Sequence, residues 1–486
     1  MNDPAPISEK PVPAILAIIV TWNKKDDVLN LLESLETIDY PKPSLDIVVV
    51  DNASGDGTVE EIRRCYPSVK LIVNSENLGG TGGFNTGLAY AYGTPAGTYD
   101  YLWLLDNDVL AHRRALAELV ALLEAYPEAA IAGSTMMQLD YPWRINEMGA
   151  WVNRMDGRLL LNRHLEEIPE WKDRDARELL NSDVEKNITL FHSPPFIVVD
   201  YVAAASLLIR ADVARNAGRW LDFFIHFDDV EWCLRIARMG HQIVVSARSL
   251  IWHLSAAAKI PTWILYYDNR NVLYLLKRHG KGGMALRWAA LKVLVKGARQ
   301  VLIGKPEMKR LFLDALDDFR NGRMGKREIP ADIFGNYQDN QGLAEILTAP
   351  GVANLLIPWT VNIKATGLLS CLEKVIMKRP DVSVTFLLHD NNGPPDVSFR
   401  ARNIRIEDSR LLRWGTFFRL RKRYDYVFQS DYLPLAGLAL LGSPQIYIND
   451  RTFSIRQSPG ILAIVQVLVD IFRRLPAVLF LKADRV

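Results

Sequence analysis

Short apolar runs alternate with amphipathic stretches along the first hundred residues. Runs rich in β-branched residues predict buried strands at Ala14–Thr21, Leu45–Val50 and Val69–Val73. Apolar residues at helical spacing predict helices at Asp26–Leu35, Val59–Cys65 and a stretch that ends at Tyr92. Strands that alternate with helices predict the α/β class, with a mostly parallel sheet that carries helices on both faces.

The alternation continues to about residue 262 with one interruption. Residues 140–195 look irregular and read as an insertion or a substrate-facing loop region. Around this interruption the pattern predicts further elements at Arg113–Ala125, Ala129–Ser134, Phe196–Arg210, Val230–Met239 and Gln242–Val245. We therefore interpret residues 14–262 as one domain that follows a polar, proline-rich leader, residues 1–13.

The carboxyl half changes character twice. Residues 263–329 have a helical pattern, and residues 277–328 hold 14 Lys or Arg against 5 Asp or Glu. Such basic amphipathic helices lie on anionic membrane surfaces, or they expose a solvated face while packing on the preceding domain. Residues 330–486 predict a smaller α/β domain that would bind an acceptor, assemble partners or form a homo-oligomer. Its predicted strands are Asn354–Trp359, Val382–His389, Asn403–Glu407, Tyr424–Gln429 and Pro444–Ile448, and its tail, Ile461–Leu481, is a second candidate for membrane contact.

Composition narrows the class of protein. A chain of 486 residues predicts two or three domains, and a net charge of +2 gives no reason to expect a nucleic acid partner. Three cysteines, far apart and odd in number, argue against a disulfide framework and fit a reducing cytosol. We find no signal peptide and no apolar run of the roughly 18 residues expected of a membrane span. The expected protein is cytoplasmic and either soluble or peripheral to a membrane.

Two carboxylates follow the apolar run that starts at Tyr101, in the sequence Asp106-Asn107-Asp108. At the carboxyl end of a buried strand they would lie where open α/β sheets bind ligands. Carboxylate oxygens of this kind suit Mg²⁺ or Mn²⁺ held against substrate phosphates. A solvated turn is the alternative interpretation, because Asp and Asn are ordinary turn residues.

A glycine-rich stretch, residues 77–87, opens the helix that ends at Tyr92. It matches neither the P-loop pattern, since no lysine follows, nor G-x-G-x-x-G, since the sixth position counted from Gly80 is Asn85. Free backbone N–H groups at a helix amino terminus can bind a phosphate or a sugar. A tight turn with a purely structural role explains the glycines equally well.

A second acidic pair, Asp228-Asp229, follows an aromatic run and opens a predicted helix. A helix cap with acidic first-turn neighbours explains one aspartate well and the aromatic-flanked pair less well. Further along, His253 follows an apolar run; a lone histidine in such a position is more often structural than catalytic. The acidic pair and His253 therefore have to be interpreted together with the earlier motifs.

Taken together, these motifs resemble the family 2 glycosyltransferases, nucleotide-sugar-dependent enzymes with a GT-A fold. Five motifs stand in the order of that family: Thr21-Trp22-Asn23, Val50-Asp51-Asn52-Ala53-Ser54, Asn77-Leu78-Gly79-Gly80, Asp106-Asn107-Asp108 and Phe227-Asp228-Asp229. The similarity covers about residues 14–280. Within the family, the chain is similar to the galactofuranosyltransferase and rhamnosyltransferase branch, through Gly79–Phe84, Asp228–Arg235, Trp252-His253 and Tyr267–Asn271.

The resemblance implies a role for each matched residue. Thr21, Asp51, Asn77, Gly79, Gly80 and Asp106 would bind the donor, with Thr21 and Asp51 against the nucleoside. Mn²⁺ or Mg²⁺ would be held by Asp106, Asp108 and His253. The catalytic base would be Asp229, and the acceptor would contact Asp228 and Trp252. Two features depart from the family pattern: Asn107 stands where many relatives carry a third aspartate, and Ala203–Ser206 stands where the galactan-building relative has paired tryptophans.

The function implied by the resemblance is inverting, metal-dependent glycosyl transfer. The metal would neutralise charge on the departing diphosphate, and a positioned carboxylate would deprotonate the acceptor hydroxyl. The expected donor is UDP-galactofuranose, with dTDP-rhamnose as the alternative, and the expected acceptor is a lipid-linked cell-surface polysaccharide at the inner face of the cytoplasmic membrane. Two alternatives of another class are a nucleotidyltransferase and a non-catalytic scaffold with a glycosyltransferase fold. Against the first, Asn52–Thr58 carries no basic residue to grip phosphates. Against the second, the set Asp106, Asp108, Asp229 and His253 is intact.

Overall fold

A ten-stranded mixed sheet organises the amino-terminal half of the protein. The computed structural model describes residues 12–183, 195–254, 263–364, 366–389, 393–406, 415–417, 419–431, 434–459 and 461–484. Most of the leader, residues 1–13, lies outside the described residues. The strands of this half are β1 Ile15–Thr21, β2 Leu45–Asp51, β3 Lys70–Val73, β4 Tyr101–Asp106, β5 Val109–Ala111, β6 Ala129–Gln138, β7 Ile145–Glu147, β8 Ala150–Val152, β9 Leu159–Leu161, β10 Phe196–Val199, β11 Ser206–Arg210 and β12 Gln242–His253.

Helices cover both faces of this sheet. They are α1 Lys25–Glu36, α2 Thr58–Cys65, α3 Gly79–Gly93, α4 Ala115–Ala125, α5 Ala176–Leu179, α6 Ala211–Ala217 and α7 Asp228–Arg238. Alternate residues of β1 enter two separate cores: Leu16, Ile18 and Val20 pack with α3, whereas Ile15, Ala17 and Ile19 pack with α1 and α4. Because both faces are covered, β1 is buried at every position and reads as a continuous apolar run.

The sheet runs in the order β10-β12-β6-β11-β4-β1-β2-β3, with β5 paired to β12 and β7 to β6. Strands β1 to β4 are parallel where they pair, and β6 and β12 are parallel, but β11 runs antiparallel between β4 and β6. The mixed sheet with helices on both faces is typical of the GT-A fold, so the expected fold class is confirmed.

Several boundaries differ from the sequence-based expectation. The predicted strand at Gln242–Val245 continues to His253, because its second half pairs with β5 and with the end of β6. The stretch Phe196–Arg210, where the sheet pattern resumes, forms the two strands β10 and β11. The stretch judged irregular, residues 140–195, contains β7, the β8–β9 hairpin and α5, all of them too short to give a periodic signal.

A layer of helices follows the first sheet. It is formed by α8 Ile264–His279, α9 Gly282–Leu302 and α10 Lys309–Arg320, which confirms the predicted helical segment. The tail helix packs on the same layer: Arg474 pairs with Asp317 at 2.6 Å, and Lys309 pairs with Asp470 at 2.9 Å. The layer is therefore completed by a segment that lies far along the chain. No helix in the described ranges has both the length and the apolar character needed to cross a membrane.

The second sheet has seven strands in the order β13-β19-β18-β17-β14-β15-β16. The five strands from β18 to β16 in this order are parallel, whereas β19 pairs antiparallel with β18 and with β13; the sequence pattern had not indicated β13 and β19. It docks on the helical layer through Lys305, whose ammonium lies 2.5 Å from Asp431. The strands are β13 Tyr337–Asp339, β14 Asn354–Trp359, β15 Ser383–His389, β16 Ala401–Ile406, β17 Tyr426–Ser430, β18 Gln445–Ile448 and β19 Thr452–Arg456; the helices are α11 Leu343–Thr348, α12 Val361–Lys364, α13 Leu368–Lys378 and α14 Ile461–Leu479.

Candidate active site

The strand register brings three of the predicted site residues to one edge of the first sheet. Thr21 pairs with Asp51 across β1 and β2, and Val20 pairs with Asp106 across β1 and β4. These residues end their strands, so their side chains meet at the carboxyl edge, where open α/β sheets bind ligands. The turn after β4 then carries Asp108 back toward the end of β12.

Asp106, Asp108 and His253 form a cluster at this edge. One ligand atom from each lies within 4.8 Å of the other two, and His253 Nε2 is 2.9 Å from Asp108 Oδ1. All three side chains are partly exposed, so the cluster is open to solvent on one side. Two carboxylates and one imidazole within this distance fit a divalent cation, and the carboxylates favour Mn²⁺ or Mg²⁺.

The middle residue of the acidic motif has a structural partner. The Asn107 amide donates to Thr21 Oγ1 at 2.9 Å, which ties the β4–β5 turn to the end of β1. A carboxylate at this position has no proton to donate at neutral pH. With Asn at this position the Thr21 oxygen is the acceptor of the contact, and Asp106 and Asp108 remain the candidate ligands.

The environment of Asp51 suggests a binding pocket. Its carboxylate is fully buried; Oδ1 accepts a hydrogen bond from the Ser54 amide at 2.9 Å, and Oδ2 has no partner among the described residues. Buried polar atoms are nearly always hydrogen-bonded in native proteins. The Oδ2 atom is therefore well suited to accept a hydrogen bond from a ligand.

The glycine-rich loop at the start of α3 combines structural and open positions. At Gly79, where φ is +72°, a Cβ would lie 2.1 Å from the Phe224 carbonyl oxygen, so only glycine fits. At Gly80 a Cβ would meet nothing within 4 Å, so that position faces open space. The Asn77 side chain accepts from the Gly79 amide at 2.8 Å and caps the loop. Gly79 thus has the structural role of a tight turn, whereas Gly80 leaves space for a ligand.

Asp228 and Asp229 begin α7 in different surroundings. Asp228 is buried, and its Oδ2 accepts a hydrogen bond from the Thr81 hydroxyl at 2.5 Å. Asp229 keeps part of its surface exposed and accepts from the amides of Val230 at 2.8 Å and Ala204 at 3.2 Å. Of the pair, Asp229 is the carboxylate with surface available to a substrate.

Burial shifts the pKa of both carboxyl groups upward. For Asp228, burial raises the pKa, and the hydrogen bond from Thr81 opposes part of that increase. For Asp229, burial raises the pKa well above the ordinary range, and the negative charge of Asp228 adds to the increase. The charge of Asp106, in the candidate metal cluster, contributes in the same direction.

The loop before Asp228 has an unusual backbone conformation. Phe224, His226 and Phe227 all have φ between 63° and 68°, a region that non-glycine residues rarely occupy. The amide of Asn271, on α8, donates to the carbonyl oxygens of Phe223 at 3.1 Å, Ile225 at 2.8 Å and His226 at 3.0 Å. The helical layer thus holds the loop that presents the acidic pair.

Trp252 does not have the surroundings expected of an acceptor-binding residue. It is fully buried, its indole N–H donates to the Pro142 carbonyl at 3.1 Å, and its ring packs near Trp171. Its one polar atom, the indole N–H, is already used by the Pro142 carbonyl, and its ring packs among core side chains. We therefore leave Trp252 out of the proposed acceptor site and regard it as a core support for the neighbouring His253.

Sequence reasoning missed four polar residues around this edge. Burial raises the pKa of Glu147, on β7, to about 7, and the nearby His253 opposes the increase. Burial also raises the pKa of Tyr201, and the charges of Asp229, Glu147 and Asp106 add to it. Thr81 lay inside a glycine run, and Asn271 lay in a motif quoted for resemblance alone. Glu147 belongs to the stretch judged irregular, and Tyr201 lies in the stretch Phe196–Arg210 outside any motif, so no sequence signal marked them.

Comparison with known proteins supports the same family. The family model "Glycosyl transferase family 2" matches residues 16–170. A galactofuranosyltransferase of Mycobacterium tuberculosis is 25% identical over 288 residues, which cover 57% of this chain and 44% of that protein. Its counterpart from Mycolicibacterium smegmatis is 24% identical over 342 residues, with 64% and 52% covered. The chain thus spans about half the length of the curated relatives it matches.

Solved structures give more distant likenesses. A mannosyltransferase of Pyrobaculum calidifontis, solved with GDP-Man and Mn²⁺, is 18% identical with a TM-score of 0.37, and the alignment covers 63% of this chain and 87% of that one. The resemblance inferred from the motifs is confirmed by the family model and by the curated relatives. The amino-terminal part of this chain, residues 16–170, is thus similar in sequence to glycosyl transferase family 2.

Proposed function

We propose that this protein is an inverting, metal-dependent glycosyltransferase that takes galactofuranose from UDP-galactofuranose. The observation that carries the proposal is the meeting of a candidate metal cluster, a buried unpartnered carboxylate oxygen on Asp51 and the partly exposed Asp229 at one sheet edge. The choice of sugar is supported by the two curated relatives, which are named as galactofuranosyltransferases.

The donor would lie along the carboxyl edge of the first sheet. Asp51 Oδ2 would accept an N–H from the nucleobase, and Thr21 would contact the nucleoside beside it. Asn77 and Gly79 shape the loop, and the open space at Gly80 leaves room for ribose or sugar. The diphosphate would then reach the acidic cluster.

Asp106, Asp108 and His253 would hold Mn²⁺ or Mg²⁺ against the diphosphate. When bound, such an ion supplies charge neutralisation where the leaving group becomes more negative. The protein's own contribution is to fix three ligands on two strand ends and one turn.

Asp229 would act as the base for the acceptor. The acceptor hydroxyl loses its proton to Asp229 as its oxygen bonds to the anomeric carbon and the bond to the diphosphate oxygen breaks. One base on the face opposite the leaving group gives a single displacement with inversion. The raised pKa of Asp229 makes it a stronger base than an ordinary aspartate. Asp228, beside it, would contact the acceptor or orient Asp229.

The acceptor in this proposal is a growing, lipid-linked cell-surface polysaccharide. The protein would work at the inner face of the cytoplasmic membrane, and homo-oligomers fit the same proposal. We retain the division into a catalytic domain, residues 14–262, a basic helical segment, residues 263–329, and a carboxy-terminal domain, residues 330–486. The last domain would bind the acceptor or assemble partners.

Donor turnover tests the proposal. Purified protein with Mn²⁺, a panel of nucleotide sugars and a lipid-linked disaccharide acceptor would be followed by mass spectrometry. We expect addition of one hexose from UDP-galactofuranose alone. A deoxyhexose from dTDP-rhamnose would move the protein to the neighbouring branch. Absence of both transfer and nucleotide binding would contradict the enzyme assignment and favour a scaffold.

A further inference from the structure

The last helix exposes an apolar face along its whole length. Leu462 is 84% exposed and Phe472 is 69% exposed, and Val465 between them is about half exposed at 49%. At 1.5 Å per residue, the 19-residue helix presents this face over about 28 Å. The opposite side of the helix carries Arg474 and Asp470, which bind the helical layer.

Helix α9 adds a second exposed apolar row beside it. Met284 is 69% exposed, Trp288 50% and Val295 59%. The Arg287 guanidinium donates to the Leu479 carbonyl at 3.3 Å, so the start of α9 lies against the end of α14. Two segments far apart in the sequence therefore form one exposed surface, which we call the docking surface: Leu462, Val465 and Phe472 with Met284, Trp288 and Val295.

Cations lie among these apolar residues. Arg287, Arg299 and Arg473 are exposed, and no carboxylate in the part of the chain that the structure describes forms an ion pair with them. Neighbouring basic residues of the same helices are paired; Lys309 with Asp470 is one case. The exposed arginines that form no ion pair therefore give this surface a positive charge.

We propose that the docking surface binds an anionic lipid bilayer, with α9 and α14 lying in the plane of the headgroups. This inference rests on the proposed function, in which the acceptor is lipid-linked. Aliphatic and aromatic side chains would enter the boundary between headgroups and acyl chains, and the three arginines would meet lipid phosphates. Neither helix spans the bilayer in this arrangement.

The charges favour a bilayer over a second copy of the chain. In a twofold dimer the same patch meets itself, so residues of one copy contact their equivalents or near neighbours. The three arginines would then face arginines of the second copy, and like charges across an interface cost several kcal/mol. An anionic surface satisfies the apolar face and the cations together.

Vesicle sedimentation of the full chain tests the proposal. The probes are phosphatidylcholine vesicles with and without phosphatidylglycerol, at low and high salt. One variant, L462S with F472S, reduces the apolar face; a second, R299Q with R473Q, removes two cations. Matched controls are M377S, an exposed methionine at 75% on α13, and R63Q, an exposed arginine on α2.

We expect binding to the anionic vesicles, weakened by salt and by both docking-surface variants, but not by the controls. Loss of each cation should weaken binding about fivefold, the equivalent of ~1 kcal/mol. Failure to sediment with anionic vesicles, or sedimentation that the variants do not change, would overturn the proposal. So would a dimer in analytical ultracentrifugation that F472S dissociates without any effect on vesicle binding. Sedimentation involves no sugar transfer, so its outcome is separate from that of the donor test.

Discussion

The Thr81 hydroxyl donates a 2.5 Å hydrogen bond to Oδ2 of Asp228, across 147 positions of sequence. The contact joins the glycine-rich loop at the start of α3 to the acidic pair at the start of α7. In the same place the Thr81 amide donates to the Phe224 carbonyl at 3.2 Å. The loop expected to bind the donor and the loop that presents the base are therefore one hydrogen-bonded unit.

Replacing Thr81 with Val should destabilise the protein by about 1–3 kcal/mol, because a buried carboxylate oxygen loses its donor in an otherwise isosteric change. Thermal unfolding of the variant would measure the loss. Thr81→Ser retains the hydroxyl and serves as the control. A Thr81→Val protein as stable as the native one would show that the Asp228 contact contributes nothing.

The variant Asp229→Asn should lower kcat by about 10²–10⁴-fold and leave the affinity for the nucleotide sugar unchanged, because it removes the base but not a donor contact. Turnover and calorimetric donor binding would be measured side by side. Asp212→Asn, at an exposed position on α6, is the matched control. Equal loss of turnover and donor binding would instead assign Asp229 a structural role.

The rate should also depend on pH in a defined direction. Transfer needs Asp229 ionised, and burial with the charge of Asp228 raises its pKa well above the ordinary aspartate range. Activity is therefore present above that raised pKa and is lost as pH falls through it. A profile of kcat against pH at saturating donor should show its acid limb well above about pH 4. An acid limb at the ordinary aspartate value would contradict the assignment.

Removal of a candidate metal ligand should weaken Mn²⁺ binding by about tenfold or more, since loss of even a supporting partner has effects of that size. Asp108→Asn and His253→Ala test two of the three members of the cluster. Mn²⁺ binding would be measured by the decrease of the electron paramagnetic resonance signal of free Mn²⁺. Asp396→Asn, on the exposed surface of the second sheet domain, should bind as the native protein does. Unchanged Mn²⁺ affinity in both variants would rule out this cluster as the metal site.

Asn271→Ala should lower kcat more than it changes donor affinity, because the left-handed loop before Asp228 loses the amide that bonds three of its carbonyls. The same helix offers a matched control in Asn269, which is also buried but donates to Leu265 within its own helix. Both variants should lose comparable stability, about 1–3 kcal/mol. If Asn269→Ala reduced kcat equally, the effect would be one of general stability.

The sequence predicted those parts of the fold that depend on local pattern. Strand β14 was located at its observed bounds, and Asp106 and Asp108 were recognised because a strand end and a turn lie next to each other in sequence. Contacts between distant segments could not be predicted in this way. The bond from Thr81 to Asp228 depends on how α3 and α7 pack, and Trp252 was assigned to the acceptor although tertiary packing buries it completely.

The pairing of Arg474 with Asp317 has a consequence for how the protein is made. The two residues are 157 positions apart, so α10 is synthesised long before the helix that covers it. At about 5–20 residues per second, translation leaves roughly 8–30 s in which that side of α10 has no partner. During this interval Asp317 lacks Arg474 and Lys309 lacks Asp470, so the helical layer gains these two ion pairs only after the tail has been synthesised.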